Sequence, residues 1–168
     1  YYGSYRAMEE AVEEGKVRAI GVSNFSPDRF IDLQHFAKIK PAVNQIETHV
    51  FQQQKESKKY LQKYECQIES WGPFAEGKNN IFKNEVLTAI GNHYGKTAAQ
   101  VALRFLIQSD VVVIPKSVHR DRMEQNFNIF DFALNAEEMK QIEALDEARS
   151  LFLDHTDPAT VEFFMTLA

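Results

Sequence analysis

The chain has 168 residues, 44% apolar and 26% charged, an ordinary globular composition that excludes a disordered or fibrous polymer and, at this length, fits a single domain over 1–168. Its 19 Lys plus Arg against 24 Asp plus Glu give a net charge of −5, so the molecule as a whole is a poor binder of duplex nucleic acid and any basic site has to be local. The lone cysteine, Cys66, excludes an internal disulfide, and no Cys/His spacing fits a zinc site.

An amphipathic helix opens almost at once, behind a first residue that is Tyr rather than Met, and the expectation is that the sequence lacks its own beginning. The start Tyr1-Tyr2-Gly3-Ser4 is not built like an export signal, and no apolar run approaches the roughly 20 residues that span a bilayer, which points to a cytoplasmic protein without a membrane partner. The first predicted strand is Val17 to Val22. After it, Ser26-Pro27 reads as a helix cap followed by Pro at the first helical position, with Phe30, Leu33 and Ala37 on one face. A second strand, Ala42 to Glu47, leads to a polar helix near Gln54 to Tyr64. The third, Cys66 to Trp71, is followed by two helices: one marked by Val86, Leu87, Ile90 and Tyr94, the other opened by the capping box Thr97-Ala98-Ala99-Gln100. The fourth strand, Val111 to Lys116, precedes a helix at Arg120 to Phe127 that Ser117 or Val118 introduces, and a last helix starts at the Asn135 cap with Glu138 three residues on.

Strands alternating with helices at this spacing imply right-handed crossovers and a parallel sheet. Four βα units suit either a small doubly wound sheet, which length alone favours, or part of a (β/α)8 barrel. Ser23-Asn24, Asn44-Gln45 with Glu47, Trp71-Gly72-Pro73 and Lys116-Ser117 place a polar or small cluster at the end of every strand, which is the habit of barrels, and no GxGxxG occurs.

In this acidic chain the segment from Ile114 to Arg122 gathers Lys116, Arg120 and Arg122 with His119 around a helix start, the composition of a phosphate site; the alternative is a solvated basic helix face. Asn24 and Gln45 offer carboxamides that suit another amide, such as that of nicotinamide, unless they only satisfy loop backbone. Trp71 can stack on a planar ring or be core. Phe127, Phe130 and Phe132 are expected to pack against the outside of the sheet, the remaining histidines to be structural, and Cys66 to be an inert buried hydrophobe.

GVSNF at 21–25, VNQIE at 43–47, WGP at 71–73, GKTAAQVALRFLIQ at 95–108 and VVVIPKSV at 111–118 together resemble the aldo-keto reductases, and Trp before Gly-Pro is similar to bacterial members of the 2,5-diketogluconate reductase type. The resemblance implies a (β/α)8 barrel, here its second half of about four βα units plus a C-terminal helix, and an NADPH-dependent reduction of aldehydes and ketones to alcohols. It implies that Ser23, Asn24 and Gln45 hold the nicotinamide carboxamide, that Trp71 stacks on the nicotinamide ring, and that Gly72 and Phe74 contact the pyrophosphate. Lys116, Ser117, Val118 and Arg122 match residues around the adenosine 2′-phosphate, and Gln125 and Asn126 the pair near adenine. His119 stands where Thr is common and Gln125 where Glu is usual, which bears on the choice between NADPH and NADH. The family's catalytic Asp, Tyr, Lys and His map to no residue of this chain, so an inactive fragment is expected, and because half a barrel leaves the strands Val17 to Val22 and Val111 to Lys116 without neighbours, one that forms a homodimer or closes on itself. The alternative is a non-catalytic nicotinamide-cofactor-binding or interaction protein of the same fold.

Overall fold

A computed structural model describes residues 1–167. By contacts the chain divides into two compact units, and it passes between them four times: among the described residues unit 1 holds 1–46, 55–68 and 153–167, and unit 2 holds 47–54 and 69–152.

Unit 1 contains α1 (Tyr2–Glu13), β1 (Gly21–Ser23), α2 (Pro27–Phe36), α3 (Lys55–Lys63) and α8 (Pro158–Met165), with β2 (Val43–Glu47) up to Ile46 and the first two residues of β3 (Gln67–Trp71). β1 and β2 run parallel with Gly21 opposite Val43, Val22 opposite Asn44 and Ser23 opposite Gln45. The Gln67 N–H donates to the Ala42 carbonyl at 2.8 Å, which starts β3 alongside β2. Tyr5, Ile20, Leu33 and Ala37 form a buried cluster against which Val22, Phe25 and Ile39 pack. Its polar edges are closed: Tyr5 donates its hydroxyl to the Ile39 carbonyl at 3.0 Å, and Glu9 Oε1 accepts the Lys38 and Ile39 N–H groups at 2.7 and 2.9 Å. Cys66 is buried, and burial pushes its thiol up to about 12, so the inert reading of this residue fits its surroundings.

Unit 2 contains the end of β3, a segment of 3-10-like turns over Ala75–Lys83, α4 (Glu85–Tyr94), α5 (Ala98–Gln108), β4 (Val112–Val113), α6 (Arg120–Phe127) and α7 (Ala136–Glu143). β3 and β4 are parallel, Glu69 opposite Val112 and Ser70 opposite Val113. α5 is buried along Val101, Ala102, Leu103, Phe105 and Leu106 and packs on α4, whose buried residues are Leu87, Ile90 and Gly91. Both capping boxes read from the sequence close as expected, Thr97 with Gln100 at α5 and Asn135 with Glu138 at α7.

Three expectations require correction. The first and last strands are shorter than Val17–Val22 and Val111–Lys116, because apolar runs outlast the hydrogen-bonded register: Val17 and Ile114 lie outside the strands and are 42% and 52% exposed. Neither Ser117 nor Val118 caps α6; the cap position is His119, whose N–H donates to Ser117 Oγ at 3.1 Å. Of the three Phe residues only Phe132 is buried, while Phe127 and Phe130 are 79% and 62% exposed and meet each other at 6.0 Å between ring centres. The sequence reading also passed over α8, although Asp157 caps it and Pro158 starts it.

Candidate functional site

Seven of the twelve residues singled out in the sequence line one cavity of about 630 Å³ in unit 2: Phe74, Lys116, Ser117, Val118, Arg122, Gln125 and Asn126. The remaining lining residues are Phe82, Thr97, Ala99 and His119. The local sequence explains the walls. Thr97 Oγ1 accepts the Gln100 N–H at 3.2 Å and Gln100 Oε1 accepts the Thr97 N–H at 3.0 Å. That box fixes the first turn of α5 where Thr97 and Ala99 face the cavity. From Lys116 the chain turns at the Ser117–His119 contact into α6, whose first turn contributes Arg122 and whose last turn contributes Gln125 and Asn126. Phe74 and Phe82, 5.6 Å apart between ring centres, bracket the irregular segment and form the apolar wall.

The electrostatics of this cavity are one-sided. Its lining holds two permanent cations and an imidazole and no carboxylate. Arg120 is tied to Glu124 at 3.0 Å, whereas among the described residues Lys116 and Arg122 make no ion pair, although Glu and Asp outnumber Lys and Arg in the chain. The first turns of two helices, α5 and α6, line the same space, and helix starts carry unpaired N–H groups and a partial positive charge. Two cations without a carboxylate, beside two helix starts, give the cavity the charge and the donors that suit an oxyanion such as a phosphate monoester.

The carboxamide set lies in unit 1 and is ordered by the strand ends. Register places Ser23 beside Gln45, the Asn24 N–H donates to the Gln45 carbonyl at 2.9 Å, and Asn24 Nδ2 donates to Ser23 Oγ at 3.2 Å. Asn24 has φ 56°, a left-handed conformation that Asn tolerates better than most residues. Buried Asn44 fixes the exit from β1 by donating to the Phe25 carbonyl at 2.9 Å. Trp71 and Gly72 sit in unit 2 outside the lining of the 630 Å³ cavity. The Trp71 ring meets Phe152 at 5.2 Å and 60°, and Gly72 holds φ 65°, the positive value that ends the strand in a turn.

Sequence reasoning did not assign Phe82, Thr97 or Ala99 to a site. The capping box at 97–100 was legible as a helix start, and a helix start is itself an anion-binding feature; what pairs it with the 116–126 segment is tertiary packing of α5 on α6. Among the described residues no cluster of His, Cys, Asp and Glu could hold a metal ion, and no helix is long and apolar enough to cross a membrane.

Residues 3–147 match the model of the family described as "Aldo/keto reductase family". A glyoxal reductase of Bacillus subtilis is 44% identical over 147 residues, covering 88% of this chain and 52% of the relative. Among solved structures, MGS-M4, an aldo-keto reductase enzyme from a Medee basin deep-sea metagenome library, is 41% identical with a TM-score of 0.88, over 91% of this chain and 57% of that one. A variant of Gox0644 in complex with NADPH is 34% identical with a TM-score of 0.86, over 95% and 58%. The chain spans about half the length of the curated relatives it matches.

Proposed function

The chain belongs to the aldo/keto reductase family, and from that premise we propose that its 168 residues carry the cofactor-binding part of an NADPH-dependent reduction of aldehydes or ketones. The observation that carries this reading is the cavity of unit 2, where Lys116 and Arg122 face a space without a carboxylate. Lys116, Ser117, Val118 and Arg122 then surround the 2′-phosphate of the adenosine, and Gln125 and Asn126 approach the adenine. Gly72 and Phe74 contact the pyrophosphate, Trp71 stacks on the nicotinamide, and Ser23, Asn24 and Gln45 hold its carboxamide. NADPH supplies the hydride; the chain's residues bind it, present one nicotinamide face and shield it from water.

The fold part of the proposal is that the four βα units form one half of a (β/α)8 barrel and one domain. The parallel pairing of β1 with β2 and of β3 with β4 supports it, as does a chain that passes between the two units four times. A cytoplasmic setting is part of the same proposal, and the lone free cysteine, Cys66, fits a reducing compartment.

Carbonyl reduction also needs a proton donor on the substrate side. We propose that these 168 residues do not supply it. Mixed with NADPH and 4-nitrobenzaldehyde, the 168-residue chain is expected to bind the cofactor by calorimetry and to oxidise none of it above the buffer rate, read at the NADPH absorbance band. Turnover would overturn the proposal that the donor is absent; a failure to bind NADPH under conditions where the chain is folded would overturn the assignment of the cavity.

Self-association is the last part. Val112 and Ile114, at and just beyond β4, are 41% and 52% exposed, and α6 exposes Met123 and Phe127, the latter in contact with exposed Phe130, so several large apolar side chains stand in water where a partner could cover them. Sedimentation at tens of micromolar is expected to show a dimer or larger species, and a well-behaved monomer would contradict this.

A further inference from the structure

The end of β2 carries a buried carboxylate that cofactor contact does not explain. Glu47 and His49 are 5% and 0% exposed. His49 Nδ1 accepts the N–H groups of Phe51 and Gln52 at 3.2 and 3.1 Å, so the ring's own N–H is on Nε2, which donates to Glu47 Oε1 at 3.0 Å. Two further donors reach the same carboxylate from about a hundred residues along the chain: the Leu151 N–H at 2.9 Å to Oε1 and the Ser150 hydroxyl at 2.5 Å to Oε2. Burial alone would raise the Glu47 carboxyl, but the hydrogen bonds from His49, Ser150 and Leu151 outweigh it and hold Glu47 below the usual carboxylate range.

What these bonds fix is the next residue. Ser150 Oγ, held on Glu47, accepts the Phe152 N–H at 3.0 Å. The Phe152 ring packs 5.2 Å from the Trp71 ring, and its atoms are the neighbours nearest to Gly72 on the side where a Cβ would stand. Lys78 completes the tie. Its Nζ lies 3.9 Å from the Phe152 ring centre and donates to the Leu151 carbonyl at 2.5 Å. Lys78 belongs to the 75–83 segment, where Glu76, Gly77, Asn79 and Asn80 all have positive φ, so local backbone preference does not hold that segment in place and its side-chain ties matter more.

The structure assigns Glu47 as a positioning residue: through Ser150 and Leu151 it anchors residues 150–152, sets Phe152 against Trp71, and by way of Lys78 secures the segment that ends in the cavity wall. Its consequence for cofactor binding rests on the reading of Trp71 as the ring that meets the nicotinamide. The anchor itself does not depend on that reading.

Trp71 is the only tryptophan in the chain, so its fluorescence reports this site alone. Three variants separate the links. Glu47→Gln keeps the shape but leaves only one oxygen for three donors, Ser150→Ala removes one donor and keeps the charge, and Phe152→Leu keeps the anchor and removes the ring. In 168-residue chains shown to be folded by circular dichroism, the acrylamide quenching constant of Trp71 is expected to rise at least twofold in Glu47→Gln and Phe152→Leu, and less in Ser150→Ala. The double variant Glu47→Gln/Phe152→Leu is expected to match Phe152→Leu alone, because the proposed anchor carries the effect of the Glu47 side chain to Trp71 by way of Phe152. Unchanged quenching in folded Glu47→Gln, or effects of the two substitutions that multiply in the double variant, would overturn the proposal. Should Glu47→Gln not fold, Ser150→Ala carries the same test, with unchanged quenching again counting against the anchor. These measurements use no cofactor. In a parallel titration NADPH affinity is expected to fall at least threefold in the variants that expose Trp71; exposure without any loss of affinity would uphold the anchor and overturn the assignment of Trp71 to the nicotinamide.

Discussion

Replacing Arg122 with Ala will weaken NADPH binding by about 1.5 to 3 kcal/mol, roughly tenfold to 150-fold, and leave NADH nearly unchanged, because a charge-assisted hydrogen bond to a phosphate is worth that much and NADH has no 2′-phosphate. The size of the effect follows from the surroundings of Arg122. It stands on the first turns of α6, lines a cavity without a carboxylate, and makes no ion pair among the described residues, so its loss relieves no internal partner and falls wholly on the ligand. Arg120, two positions away, is the natural control: it is paired with Glu124 at 3.0 Å and is not part of the lining, and Arg120→Ala should change NADPH affinity by less than about 0.5 kcal/mol, the scale of an exposed helix pair. Calorimetric titration of both cofactors into each variant checks this. Equal losses for NADPH and NADH in Arg122→Ala would show that Arg122 does not read the 2′-phosphate.

The second large effect is on stability. Gly91→Ala is expected to lower the unfolding free energy by about 2 to 3 kcal/mol, even though alanine in a helix interior ordinarily gains about 1 kcal/mol over glycine. A Cβ at Gly91 would stand 2.4 Å from the Lys96 carbonyl oxygen and 3.2 Å from its carbon, and these are backbone atoms. They have little room to yield. Lys96 N–H is bonded back to the Gly91 carbonyl at 2.9 Å, Lys96 Nζ reaches Asp131 at 2.7 Å, and Thr97 begins the capping box of α5. The clash therefore separates α4 from α5, the best-buried helix pair of unit 2, and shifts the helix start that walls the cavity. Urea unfolding followed by circular dichroism measures it, with one cooperative transition expected in the parent chain as for a single domain. A Gly91→Ala chain as stable as the parent would mean that the α4–α5 turn is looser than its hydrogen bonds indicate.

Local signals were read from the sequence most faithfully. The capping boxes at 97–100 and 135–138 and the span of α6 depend on residues a few positions apart, and all three stand where the sequence places them. Strand length was overread at both edges because hydrophobic character and hydrogen-bonded register are different quantities: Val17 and Ile114 are apolar but lie outside the paired strands. Phe127 and Phe130 look like core by composition and are exposed, since their burial depends on what faces α6 rather than on their own character. The candidate anion-binding site was half legible. Lys116 and Arg122 advertise it through charge, while Thr97 and Ala99 reach the same cavity from another helix. The Glu47–Ser150 bond spans 103 positions, and nothing in the sequence near Glu47 announces its partner.

If the cavity bounded by the first turns of α5 and α6 receives a 2′-phosphorylated adenosine, as proposed, titrating isotope-labelled chain with 2′,5′-ADP and, separately, with 5′-ADP will show it in the amide resonances followed by NMR. The expected result is that 2′,5′-ADP moves the amides of Ala98, Ala99 and residues 116–126 and binds at least tenfold more tightly than 5′-ADP. Equal affinity for the two, or movement confined to residues away from the two helix starts, would contradict it.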